Sequence, residues 1–111
     1  METKGEEKPM NQTSIKHMVV FNLHAGKDTL EAEQFLKNSA QELAAIPGVE
    51  QFEVFRQVST KTDYDYGFSM VFADRAAYEA YNVHPVHTHY VAERWVKEVS
   101  RFQEIDLTIF E

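Results

Sequence analysis

The stretch Tyr81-Asn82-Val83-His84-Pro85-Val86-His87-Thr88-His89-Tyr90 holds three of the chain's five histidines and two of its five tyrosines. An imidazole titrates near ~6.5, so a small shift would poise His87 for proton abstraction at neutral pH. Tyr81, a phenol of ordinary pKa near ~10, would polarise a carbonyl oxygen or orient that imidazole. Pro85 divides the stretch. A proline turns the residue before it away from helix and itself suits a first helical turn. Tyr81, His84 and His87 are then spaced three apart across a helix–helix corner, close enough to converge on one pocket. Each also has a plain structural reading: His87 bonded to a nearby carbonyl or carboxylate, His84 capping the new helix. The three histidines invite a metal, but His89 is two residues from His87 and faces another side of a helix. The stretch contains no carboxylate, and a zinc site wants three or four converging ligands. No metal and no cofactor are expected.

The whole chain sets bounds on that chemistry. Its 111 residues, 43% hydrophobic and 26% charged, suit one globular domain with a modest core. The absence of cysteine excludes disulfides and thiolate chemistry and agrees with a reducing, cytoplasmic location. A net charge of −7 argues against nucleic acid and anionic membrane as partners. No apolar run approaches the ~20 residues of a membrane span. Residues 1–14 are polar and charged and read as a flexible arm without a signal peptide's apolar core, leaving 15–111 as the domain.

The elements that must position the corner follow in order. Ile15 to Leu23 reads as a strand, with Ile15, His17, Val19, Phe21 and Leu23 on one face and Lys16, Met18, Val20 and Asn22 on the other. Asp28, with Glu31 three residues on, predicts a helix start. The helix buries Ala32, Phe35, Leu36, Ala40, Leu43 and Ala44 and ends at Ile46-Pro47-Gly48. Strands are expected over 49–58 and 64–72. The second puts Tyr66, Phe68, Met70 and Phe72 on one face and small residues on the other. Asp74 caps a helix to about Val83, a second helix runs from Pro85 to about Val99, and a last strand covers 102–110. The order is βαββαβ, an α+β, ferredoxin-like plan: one four-stranded antiparallel sheet with helices on one face. Its other face carries too many bulky apolar groups to stay wet, so a homodimer through the sheet face is expected.

These residues resemble the stress-responsive A/B barrel (Dabb) domain family. The resemblance rests on Ile15-Lys16-His17-Met18-Val19-Val20-Phe21, on Ile46-Pro47-Gly48, and most on Tyr81 followed by His84-Pro85-Val86-His87. It implies a dimeric α+β barrel, with no reaction assigned to most members. The olivetolic acid cyclase-like members use a tyrosine and a histidine at the positions of Tyr81 and His87 as acid/base partners. A first-strand histidine, matched by His17, lines the same cavity. Their third-strand cavity histidine is replaced here by Tyr66.

The expectation is therefore a homodimeric domain of unassigned molecular function. It would bind a small apolar or carbonyl compound in a cavity between sheet and helices, bordered by His17, Tyr66, Phe68, Tyr81, His84 and His87. The enzymatic alternative is a cofactor-independent cyclase or isomerase with His87 as general base and Tyr81 as its partner. An oxygenase of similar build ranks behind both, for want of any haem-attachment pattern.

Overall fold

The structure, a computed structural model, describes residues 9–111. Strand β1 (Ile15–Leu23) lies in the middle of one antiparallel sheet of order β2-β3-β1-β4, flanked by β3 (Tyr66–Phe72) and β4 (Val99–Leu107). Strand β2 (Glu50–Arg56) forms the other edge. Helix α1 (Leu30–Ala44), helix α2 (Arg75–Val83) and the segment after Pro85 complete the βαββαβ order.

The alternation in β1 decides which face the helices cover. Its odd-numbered residues are buried and its even-numbered ones only half-buried. Register then carries the same division across the sheet. His17 stands beside Met70 and Asp106, Val19 beside Phe68 and Glu104, Phe21 beside Tyr66 and Phe102. Phe21, fully buried, is the hub of an aromatic core, with ring centroids 4.8 Å from Phe68, 5.1 Å from Trp95 and 5.9 Å from Phe35.

Several local expectations are corrected. The cap of α1 is Thr29, whose hydroxyl accepts from the Ala32 amide at 3.0 Å, and not Asp28. Asp28 instead adopts a left-handed backbone, φ 63°, with its amide donating to Tyr66 Oη and its carboxylate paired with Arg56. On α1, Ser39 is buried where Ala44 was expected, because the Ser39 hydroxyl accepts the Tyr90 O–H at 2.7 Å. Strand β2 is shorter than expected; Gln51, at φ 52°, lies within a register shift between Glu50 and Glu53. Strand β4 starts at Val99, three residues early. Val99, placed by the sequence at the end of a helix, is buried beside Leu23 on the sheet.

The long helix after Pro85 is also not uniform. Helix α3 (Pro85–Tyr90) widens into one π turn (Val91–Trp95) before the short α4 (Val96–Glu98). Of the expected arm, residues 1–8 lie outside the described residues. Its last part is fastened: Ser14 is buried, Thr13 donates to the Ala73 carbonyl, and Thr108 donates to the Ser14 carbonyl. Among the described residues no helix is long and apolar enough to cross a membrane.

Removing the hub ring leaves a cavity among side chains that cannot all collapse inward. Phe21→Ala is expected to cost about 3–5 kcal/mol of unfolding free energy, read from the midpoint of chemical denaturation at unchanged slope.

Candidate functional site

The chemistry-bearing residues gather where the β1 and β4 side of the sheet meets α2 and α3. His17 projects from β1 onto the helix-facing side among apolar neighbours and is 8% exposed. A buried imidazole needs partners. It finds Asp106 on β4, Nδ1 to Oδ1 at 2.6 Å. Tyr78 of α2 completes the group: its hydroxyl donates to both Asp106 oxygens, at 3.1 and 3.0 Å, and lies 3.0 Å from His17 Nδ1. The short bond to a carboxylate puts a His17 proton on Nδ1.

Tyr81 and His87 meet across the Pro85 corner. Asp74 starts α2 by accepting the Ala77 amide at 2.8 Å, and His84 Nδ1 starts α3 by accepting the Val86 amide at 3.1 Å. The two short helices turn about that cap. The His87 ring packs on the Tyr81 ring, centroids 4.2 Å apart. His87 Nδ1–H donates to the Asn82 carbonyl at 3.2 Å, so in the neutral imidazole that burial favours, Nε2 carries the lone pair. The Tyr81 hydroxyl makes no hydrogen bond to His87 or to any other described residue, although Tyr81 is only 3% exposed. The single sealed, unpartnered side-chain atom among the described residues is Ser69 Oγ. The Tyr81 hydroxyl is therefore open to some space.

That space is a cavity of about 280 Å³. Its polar lining comes from His17, Tyr78, Tyr81, Asn82, His87 and Glu104, its apolar lining from residues that include Phe68, Met70, Trp95 and Phe102. The structure thus brings together four of the expected site residues, His17, Phe68, Tyr81 and His87. It leaves out Tyr66 and His84. Tyr66 pairs with Phe21, whereas the β3 residue opposite His17 is Met70, four positions and ~13 Å further along the strand. Its hydroxyl is taken by the Asp28 amide. The His84 side chain is used as the helix cap. Among the described residues, no group of three or more His, Asp or Glu is placed to hold a metal ion.

Tyr78, Glu104 and Asp106 were missed as site residues. Tyr78 reads from sequence only as part of the inner stripe of α2. The two carboxylates had a signal: with Ile105 and Leu107 on one face of β4, Glu104 and Asp106 fall on the face that His17 shares.

Burial sets the protonation states. It pushes the Tyr78, Tyr81 and Tyr90 hydroxyls well above the ordinary phenol range, and for Tyr78 the bond to Asp106 adds to it. All three stay neutral. Burial also holds the His87 imidazole below its ordinary value, partly offset by the bond to the Asn82 carbonyl. Its folded form therefore binds a proton less readily than the unfolded chain. The stability this contributes is whole above ~6.5 and is lost as pH falls toward the lowered value. The His87 ring protons should titrate below ~6.5 by NMR. The loss of Tm between about pH 7.5 and about pH 5.5 should be smaller in His87→Gln.

Comparison with known proteins fits this geometry. A Dabb family protein from Mesorhizobium loti, with a ferredoxin-like fold, is 49% identical, with TM-score 0.87 over 90% of this chain and 100% of its own. A dimeric ferredoxin-like protein of unknown function from Thermobifida fusca is 18% identical, with TM-score 0.72 over 94% of this chain and 98% of its own. A hydroxynitrile lyase from Passiflora edulis shares the fold at 9% identity, with TM-score 0.75 over 91% of this chain and 97% of its own. No curated protein matches. The family description Stress responsive A/B Barrel Domain matches residues 15–109. The chain belongs to the stress responsive A/B barrel (Dabb) domain family.

Proposed function

We propose that this Dabb domain binds a small molecule with an apolar body and one polar end in the cavity between the sheet and the α2–α3 corner. The observation that carries the reading is Tyr81: a tyrosine only 3% exposed, whose hydroxyl has no partner among the described residues and opens on that cavity. A buried hydroxyl left unpaired costs about 1–3 kcal/mol. A ligand group at this point would recover it. The size also suits a single-ring molecule, since a dry cavity of about 150 Å³ holds benzene. The cyclase alternative is not favoured. Tyr81 and His87 stack without a hydrogen bond, and the relatives sharing the fold include a lyase and proteins of no known activity.

The domain works as a homodimer through its uncovered sheet face. On that face Phe55, Ile105 and Leu107 are 43%, 44% and 47% exposed, beside half-buried Met18 and Val20. Helices cover only the opposite face, and the Thermobifida fusca relative is dimeric. The lack of cysteine supports a cytoplasmic location.

Trp95 is the chain's only tryptophan and lines the cavity, so its emission reports occupancy at one place. Titration with benzyl alcohol should give a saturable change, and toluene a weaker one. Tyr81→Phe should weaken benzyl alcohol about fivefold and leave toluene unchanged. No saturable response to either compound would sink the binding reading. In sedimentation, wild type should run as a dimer and Ile105→Glu, which places a charge opposite Met18, as a monomer; a wild-type monomer at micromolar concentration would remove the sheet-face interface.

A further inference from the structure

The polar lining of the cavity carries several hydrogen-bond acceptors and an unpaired negative charge. His17 has used its Nδ1 proton on Asp106. His87 has used its own on the Asn82 carbonyl, leaving Nε2 as an acceptor. Tyr78 gives its hydroxyl proton to Asp106. The Glu104 carboxylate, an acceptor only, has no hydrogen-bond or ion-pair partner among the described residues. The donors left are the Tyr81 hydroxyl, which can accept as well, the Asn82 side-chain amide and the Trp95 indole N–H.

The charge is one-sided. Glu104 stands beside Val19 in the register, and its charge is felt at Tyr78, Tyr81 and His87. The Asp106 charge, two residues on, is held by His17 and Tyr78. No lysine or arginine among the described residues lines the cavity. Its walls are instead aromatic: Trp95 and Phe102 meet edge to face at 5.5 Å, with Tyr81 and Phe68 on other sides. Aromatic faces attract cations, more so when water is excluded.

We infer that the polar end of the ligand is a positively charged hydrogen-bond donor, a small organic amine bound as its ammonium form, with Glu104 as its counter-ion. The inference rests on the small-molecule reading and narrows it. An ammonium group can donate to Glu104, to Nε2 of His87 and to the Tyr81 oxygen while its carbon body lies against the rings. A carboxylate ligand would meet an unneutralised carboxylate. A carbonyl compound would leave the Glu104 charge without a counter-ion.

The test is an isosteric series read by Trp95 emission: benzylamine, benzyl alcohol and benzoate, which share a ring and differ at the polar end. Benzylamine should bind about tenfold more tightly than benzyl alcohol, as one charge-assisted hydrogen bond supplies, and benzoate should bind weakest. Glu104→Gln should shrink the benzylamine advantage to about twofold. Glu79→Gln, which removes the same unit charge from an exposed site on α2, should leave that advantage intact and so separate a local counter-ion from the general pull of an acidic protein. Benzyl alcohol or benzoate matching benzylamine would overturn the ammonium inference while leaving small-molecule binding in place. An advantage that survives Glu104→Gln would overturn the role of Glu104. Silence from all three compounds would bring down the binding reading and this inference with it.

Discussion

A histidine on the apolar face of a central strand imposes a demand on its surroundings. The His17 ring cannot be buried without hydrogen-bonding partners, and its neighbours on β1 are Ile15 and Val19. The partner comes from across the strand pair, because antiparallel pairing sets Asp106 beside His17. A slip of one residue in β4 would turn Asp106 to the other face and put Ile105 or Leu107 in its place. Tyr78 then ties α2 to the same carboxylate. The polar group thus fixes the register of one strand and the seat of one helix, and the cavity is the space those two elements leave.

Much of the fold was legible because the signals were local. The alternation of Ile15 to Leu23, the Asp74 cap and the Pro85 break are each read from neighbours in the chain, and each lies where the sequence places it. What failed was set by distant partners. Asp28 looks like a helix cap until Arg56 and Tyr66 claim it, and Thr29 then takes the role. Ser39 looks like a solvent residue until Tyr90 reaches it from α3.

The candidate site divides the same way. Tyr81 and His87 were found together because one corner of chain carries both. His17 was found from its odd place on an apolar face. Tyr66 was wrongly grouped with them because alternation gives the face of a strand but not the position along it. Asp106 and Glu104 needed the pairing of first and last strands, which no short window of sequence contains. The fold itself, shared with a hydroxynitrile lyase at 9% identity, decides none of this. What separates such proteins is which side chains the common frame holds at the cavity.

The π turn at Val91–Trp95 is one such point of control. A π turn amounts to one extra residue accommodated within an α-helix. Deleting a residue there would restore regular winding, redirect the side chains within that turn and leave the helix on either side in phase. Val91 and Trp95 both line the cavity, while the residues that follow lead straight into β4. A change of length by one residue could therefore re-contour the wall facing the ligand and leave the four-stranded frame in register. In this domain the shape of the pocket and the integrity of the sheet can evolve separately, joined at a single turn.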